Sequence, residues 1–264
     1  MKRFQDKVAI VTGGGQGIGR AVAHRLGEEG ATVVVADIVE AQARKVIQEL
    51  EEKGINAKLM VRDLRKYEDA ELLMSEAVAA FGRVDTLINN VGGTVWIQPF
   101  HRYTKEQMIV EMERSFWPTI WCCHAILPYF IAEKQGSIVN VGSTAPRGMY
   151  RVPYSAAKGG VFSITTSLAV ELARQGFEKI RVNCVAPGPT RFEHIIPRNP
   201  NKNGMTDEEE TWLAEMNQEG KFLYPLRPYS TPDEQAAAIA FMASDDASYI
   251  TGQILTVGGG ASVP

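Results

Sequence analysis

The chain has 264 residues, 45% of them hydrophobic and 22% charged, a globular composition that excludes disordered, collagen-like and coiled-coil architectures. Its 28 lysines and arginines against 31 aspartates and glutamates give a formal net charge of −3 without long like-charge blocks, which argues against nucleic acid or an anionic membrane as partner. No apolar run approaches the roughly 18 residues of a membrane span, and the opening MKRFQDKVAIVTGGG is too short in apolar residues for a signal peptide, so the expected location is the cytoplasm.

In chain order, the β-branched run KVAIVT over 7–12 predicts a strand, helical spacing follows over 18–26, and TVVVA over 32–36 completes a β-α-β unit. The alternation continues with a helix near 40–53, a strand at 57–61, a helix over 66–81, a strand at 84–89, one long helix running to 130 and a strand at 137–141. A helix beginning at YSAAKGG and strands at 180–186 and near 253–259 complete the pattern. Capping boxes mark helix starts at Thr104 with Gln107, Thr206 with Glu209, and Thr231 with Glu234 after Pro232. About seven apolar strands joined by right-handed crossovers predict an α/β fold of Rossmann type, a doubly wound parallel sheet with helices on both faces, forming a single domain over 1–264. Only 190–230, rich in proline, interrupts the alternation, and a segment that long at the sheet's carboxyl edge predicts a substrate lid.

Cys122, Cys123 and Cys184 form no CxxC pair, and four scattered histidines include no HExxH, so no metal site is expected. Glycines are informative instead. Between the first strand and helix stands Thr12-Gly13-Gly14-Gly15-Gln16-Gly17-Ile18-Gly19, a loop whose backbone can approach a pyrophosphate at a helix amino terminus. The second strand then ends in Asp37, a carboxylate able to accept both adenosine ribose hydroxyls and to repel a 2′-phosphate. Ile38 brings no cation, so the expected cofactor is NAD.

Tyr154 and Lys158 lie four apart on one helix face, where the ammonium would favour the ionised phenol, and Ser143 follows the strand that would face them. Together with TGGGQGIG and Asn89-Asn90-Val91-Gly92-Gly93, this pattern resembles the short-chain dehydrogenase/reductase family over nearly the whole chain. The resemblance implies Tyr154 as general acid/base, Lys158 as its partner and nicotinamide-ribose ligand, and Ser143 as the group orienting the reacting oxygen. It also implies a cofactor site of Gly13, Gly15, Gln16, Gly17, Ile18, Gly19, Asp37, Asp63 and Leu64, continued by Asn90, Gly92, Tyr154, Lys158, Pro187, Gly188 and Thr190. A homotetramer is implied too. Three positions depart from the family pattern: Ser115 stands where an asparagine of the proton relay is usual, with Pro118 following; Ser143 and Tyr154 are eleven apart, not thirteen; and Gly258-Gly259-Gly260 replaces Asp-Gly-Gly.

The stretches NNVGGTVWIQPF, FWPTIWCCHAILP, STAPRGMYRVPYSAAKGG and IIPRN resemble, within that family, the benzoate cis-diol dehydrogenases of aromatic acid degradation. That implies NAD-dependent oxidation of a carboxylated cis-dihydrodiol to a catechol with loss of CO2. An anionic small-molecule substrate needs a cation, and Arg147, Arg151 and Arg198 are the candidates, with Trp96 to flank the ring. A ketoacyl-thioester reductase or sugar alcohol dehydrogenase would share the core motifs, and a non-catalytic NAD sensor would share all but the Ser143, Tyr154 and Lys158 trio.

Overall fold

The computed structural model describes residues 2–145, 148–192 and 206–261, the side chains of 220–223 excepted. Seven parallel strands are ordered β3-β2-β1-β4-β5-β6-β7. They are β1 Val8–Thr12, β2 Thr32–Asp37, β3 Ala57–Val61, β4 Thr86–Asn89, β5 Gly136–Val141, β6 Ile180–Pro187 and β7 Ile254–Val257. The apolar strands are continuous because both faces are covered: Ala9, Val11, Val33, Val35 and Val139 point into one core, while Val8, Ile10, Val34, Ala36 and Ile138 point into the other. The first core is closed by Val22 and Leu26 of α1 (Gly17–Glu28) and Ile239 of α8 (Pro232–Ala243). The second is closed by Leu73 of α3 (Tyr67–Phe81), Ile126 and Phe130 of α5 (Trp117–Glu133) and Leu172 of α6 (Val152–Arg174). Between β2 and β3 runs α2 (Glu40–Glu52).

The expected long helix ending at 130 is instead two, α4 (Lys105–Ser115) and α5, broken at Phe116 with φ −123° and ψ −59°. Pro118 accounts for the break, since its ring clashes with the carbonyl of Arg114 four residues earlier and it has no N–H to donate. The capping boxes of Thr104 and Thr231 form as expected, and Thr206 exchanges the same pair of hydrogen bonds with Glu209. That last box opens α7 (Asp207–Leu223), so the proline-rich segment contains a 17-residue helix.

A buried polar chain ties α6 to the sheet. Asn89 Nδ2 donates to Asn140 Oδ1 at 3.0 Å, Asn140 Nδ2 donates to Thr165 Oγ1 at 3.0 Å, and Thr165 Oγ1 donates to the Val161 carbonyl at 2.7 Å. A one-turn slip of α6 would strand these buried groups, so its register is fixed over β4 and β5. The strand order reverses between β1 and β4, and ligands of such sheets bind beyond the carboxyl ends at that point.

Candidate active site

Beyond those strand ends lies a cavity of about 790 Å³. At one end the glycine loop leaves β1 with Gly13 at φ +61° and reaches α1 with Gly17 at φ +57°, a left-handed conformation that favours glycine. Gly19 is required for contact, because a Cβ there would lie 2.1 Å from the Gly13 carbonyl oxygen and 2.5 Å from Asn90 Nδ2. No acidic residue occupies the first turn of α1, so its amino-terminal N–H groups suit an anionic ligand. This cradle fits a dinucleotide pyrophosphate. Gly19→Ala should force the loop off α1 and raise the dissociation constant for NADH about tenfold or more, at the lower end of overpacking costs. Fluorescence titration measures this, and unchanged affinity would mean the loop does not hold the cofactor.

Asp37 points its carboxylate into the same end. Its Oδ2 accepts the Gly15 N–H and its Oδ1 the Val39 N–H, both at 2.9 Å, which leaves lone pairs on both oxygens for ribose hydroxyls. Ile38 beside it is 54% exposed. Arg62 and Arg65 also line this end, but Arg62 pairs with Glu76 at 2.5 Å and Arg65 forks onto Asp63 at 2.8 and 2.7 Å. That guanidinium, through its hydrogen bonds above all, holds the Asp63 carboxyl below its ordinary range. The Asp63 N–H donates to Asp69, and Leu64 is buried against the α3 core.

Ser143, Tyr154 and Lys158 all line the cavity and are nearly buried, at 9, 8 and 2% exposure. β5 delivers Ser143 just past Val141, and its Oγ accepts the Ala145 N–H at 3.0 Å, so its hydroxyl hydrogen can still be donated. The first two turns of α6 carry Tyr154 and Lys158. Lys158 Nζ donates to the Val141 carbonyl at 2.7 Å and lies 3.0 Å from the point a Cβ on Gly92 would occupy, so Gly92 leaves the ammonium room to approach. Ser115, wholly buried, ends α4 beside this point and accepts the Gly93 N–H at 3.2 Å. It anchors the loop that passes Lys158. Asn90 lines the cavity with its amide committed to the carbonyls of Thr12 and Gly13.

Pro187, Gly188 and Thr190 form the wall at the end of β6, where Thr190 Oγ1 meets Ser230 Oγ at 3.0 Å. Sequence reasoning missed several wall residues, including Arg114, Met149, Phe192 and Tyr224. Phe192 lies over the glycine loop, 3.0 Å from where a Gly17 Cβ would stand, and Tyr224 shares a 2.9 Å hydrogen bond with Thr144. α7 adds Met216, Asn217 and Glu219 to the wall. It is held by Arg102, which pairs with Glu208 at 2.6 Å and stacks 5.1 Å over the Trp212 ring, and by a Tyr150–Glu215 hydrogen bond.

Of the substrate-side candidates, Arg151 lines the cavity, whereas Arg147 and Arg198 lie outside the described residues. Trp96 is not among the described residues that line the cavity. Glu111, buried on α4, accepts the N–H groups of Val95 and Trp96 at 2.8 and 3.1 Å, and the Tyr103 hydroxyl donates to the Trp96 carbonyl, which holds the backbone of that loop. Cys122, Cys123 and Cys184 are free and buried; burial raises the thiol pKa of Cys123 and of Cys184 to about 12, so they are unreactive near neutrality. Among the described residues no cluster of histidine, cysteine and carboxylate side chains could hold a metal, and no helix is long and apolar enough to cross a membrane.

The family profile described as short chain dehydrogenase matches residues 7–203. A 1,6-dihydroxycyclohexa-2,4-diene-1-carboxylate dehydrogenase from Acinetobacter baylyi is 46% identical over 98% of this chain and 97% of its own. One of the same name from Pseudomonas putida is 44% identical over 98% and 94%. A 2,3-dihydroxy-2,3-dihydro-p-cumate dehydrogenase from Pseudomonas putida is 34% identical over 98% and 96%. Among solved structures, one from Sinorhizobium meliloti 1021, provisionally named a short-chain alcohol dehydrogenase, superposes with a TM-score of 0.82 at 27% identity, covering 97% of this chain and 96% of that one.

Proposed function

The chain belongs to the short-chain dehydrogenase family, and from that membership we propose that it oxidises 1,6-dihydroxycyclohexa-2,4-diene-1-carboxylate, or a ring-substituted analogue, with NAD, giving a catechol and CO2. It is an oxidoreductase acting on a CH–OH donor with a nicotinamide dinucleotide. The observation that carries the substrate reading is the 46 and 44% identity, over 98% of the chain, to two dehydrogenases bearing that substrate's name. Asp37 and the prior pairing of Arg62 and Arg65 support NAD over NADP.

The chemistry follows from the side chains. Ser143 donates its hydroxyl hydrogen to the substrate's secondary alcohol oxygen and holds it before Tyr154. Tyr154, as phenolate, takes the alcohol proton, so that electrons can collapse to form the carbonyl. The buried Lys158 side chain lies one helical turn from Tyr154, on the same face of α6 and in the same cavity wall. Bound NAD supplies the acceptor for the hydride leaving the carbinol carbon.

The new ketone is beta to the ring carboxylate. The carbon–carboxylate bond breaks with its electron pair entering the ketone, CO2 departs, and the enolate is the aromatic catecholate, which takes one proton. Near-burial of Ser143 and Tyr154 keeps bulk water from competing for these hydrogen bonds. Incubating the enzyme with NAD and the diol acid should yield catechol, CO2 and NADH in equal amounts. NADH formed without catechol, or no oxidation of the diol acid at all, would overturn the assignment.

A further inference from the structure

Of the three arginines singled out from the sequence, only Arg151 lies in the described part of the cavity wall. It stands immediately before α6, and its guanidinium carbon is 5.9 Å from the centroid of the Tyr154 ring. Its Nε is buried and makes no hydrogen bond. Native structures rarely leave a buried donor without an acceptor, and a charged donor least of all. Gly148 makes room for this placement, because a Cβ there would meet Arg151 Nε at 2.5 Å and Nη2 at 3.1 Å. The guanidinium therefore lies against bare backbone, beside the residue assigned to take the alcohol proton.

In the proposed substrate the reacting carbinol and the carboxylate sit on adjacent ring carbons. A group that binds the carboxylate must consequently stand close to Tyr154, as Arg151 does. From this geometry we propose that Arg151 is the carboxylate-binding residue of the cavity, and that its fork selects carboxylated over uncharged cis-dihydrodiols. A guanidinium matches a carboxylate with two parallel N–H donors, which a lysine cannot reproduce. This assignment rests on the function proposed above but makes its own prediction.

The test compares kcat/KM for the diol acid with that for cis-1,2-dihydroxycyclohexa-3,5-diene, which has the same ring without the carboxylate. The native enzyme should prefer the acid by about 30-fold or more, the lower end for loss of one partner of a buried charged pair. Arg151→Met should bring that ratio toward one, mainly through KM for the acid, and Arg151→Lys should fall between. If both diols lose turnover together and the ratio persists, Arg151 acts through Tyr154 or the fold and the proposal falls. It also falls if Arg114→Met, and not Arg151→Met, removes the preference.

A binding arm separates this proposal from the function beneath it. Benzoate is titrated into the NADH-loaded native and Arg151→Met proteins, each first checked for NADH binding and thermal transition. At least tenfold weaker benzoate binding in the variant supports the carboxylate site even if neither diol is oxidised, in which case only the substrate assignment fails. Equal benzoate affinity, or none in the native protein, overturns the Arg151 assignment even if the diol acid is a good substrate.

Discussion

Tyr154→Phe is expected to lower kcat for diol oxidation by at least 10²-fold, the lower end for loss of a general acid/base, and by as much as about 10⁴-fold. The substitution removes one oxygen and keeps the ring, so packing at a position only 8% exposed should be preserved. NADH affinity should therefore change by less than about threefold, because the glycine loop and the Asp37 end of the cavity are untouched. A loss confined to kcat, with KM nearly constant, is the signature of an interaction made in the transition state. Lys158→Met should behave differently, lowering both turnover and cofactor affinity, since Lys158 lies in the cavity wall beside Gly92 and not only near the phenol. Stopped-flow absorbance at 340 nm with single-turnover analysis would separate chemistry from NADH release. A Tyr154→Phe enzyme retaining more than about a tenth of native kcat would remove Tyr154 from the proton-transfer role.

These residues were legible in the sequence because their signals are local. The alternation of Ala9 and Val11 against Val8 and Ile10 is a two-residue period, the Tyr154–Lys158 pair is one helical turn, and each capping box spans four residues. The break at Phe116 had a local signal too, in Pro118, but the apolar periodicity of the surrounding residues outweighed it. Trp96 carries no such local signal. A large aromatic suits a ring-flanking role and a packed loop equally, and its backbone is held by Glu111, a buried carboxylate on a different element. Phe192 over Gly17 and Tyr224 bonded to Thr144 join residues far apart in the chain. No periodicity or short motif encodes such pairs; they appear only once β1, β5 and the segment after β6 converge on one cavity.

Selectivity between the two nicotinamide dinucleotides is the second large effect, and it tests the Asp37 end of the cavity independently of the chemistry. The native enzyme should show kcat/KM for NAD exceeding that for NADP by about 10²-fold or more. A 2′-phosphate carries between one and two negative charges, and at about 4 Å each unit pair repels by roughly 4 kcal/mol at an effective dielectric of 20. Solvent will screen part of this, and the remaining repulsion need only reach about 2.7 kcal/mol to give 10²-fold. Nearby cations could cancel it, but Arg62 is paired with Glu76 and Arg65 with Asp63, so the charge of each is already offset by a carboxylate. Asp37→Ser combined with Ile38→Arg removes the repelling charge and adds a cation at a position already 54% exposed. That variant should reverse the preference, or at least bring the two cofactors within about tenfold. Serine can replace only one of the two acceptors that Asp37 gives to the Gly15 and Val39 N–H groups, so some loss of affinity for both cofactors is expected alongside the shift. Native kcat/KM values for NAD and NADP within threefold of each other would show that Asp37 does not face the adenosine ribose.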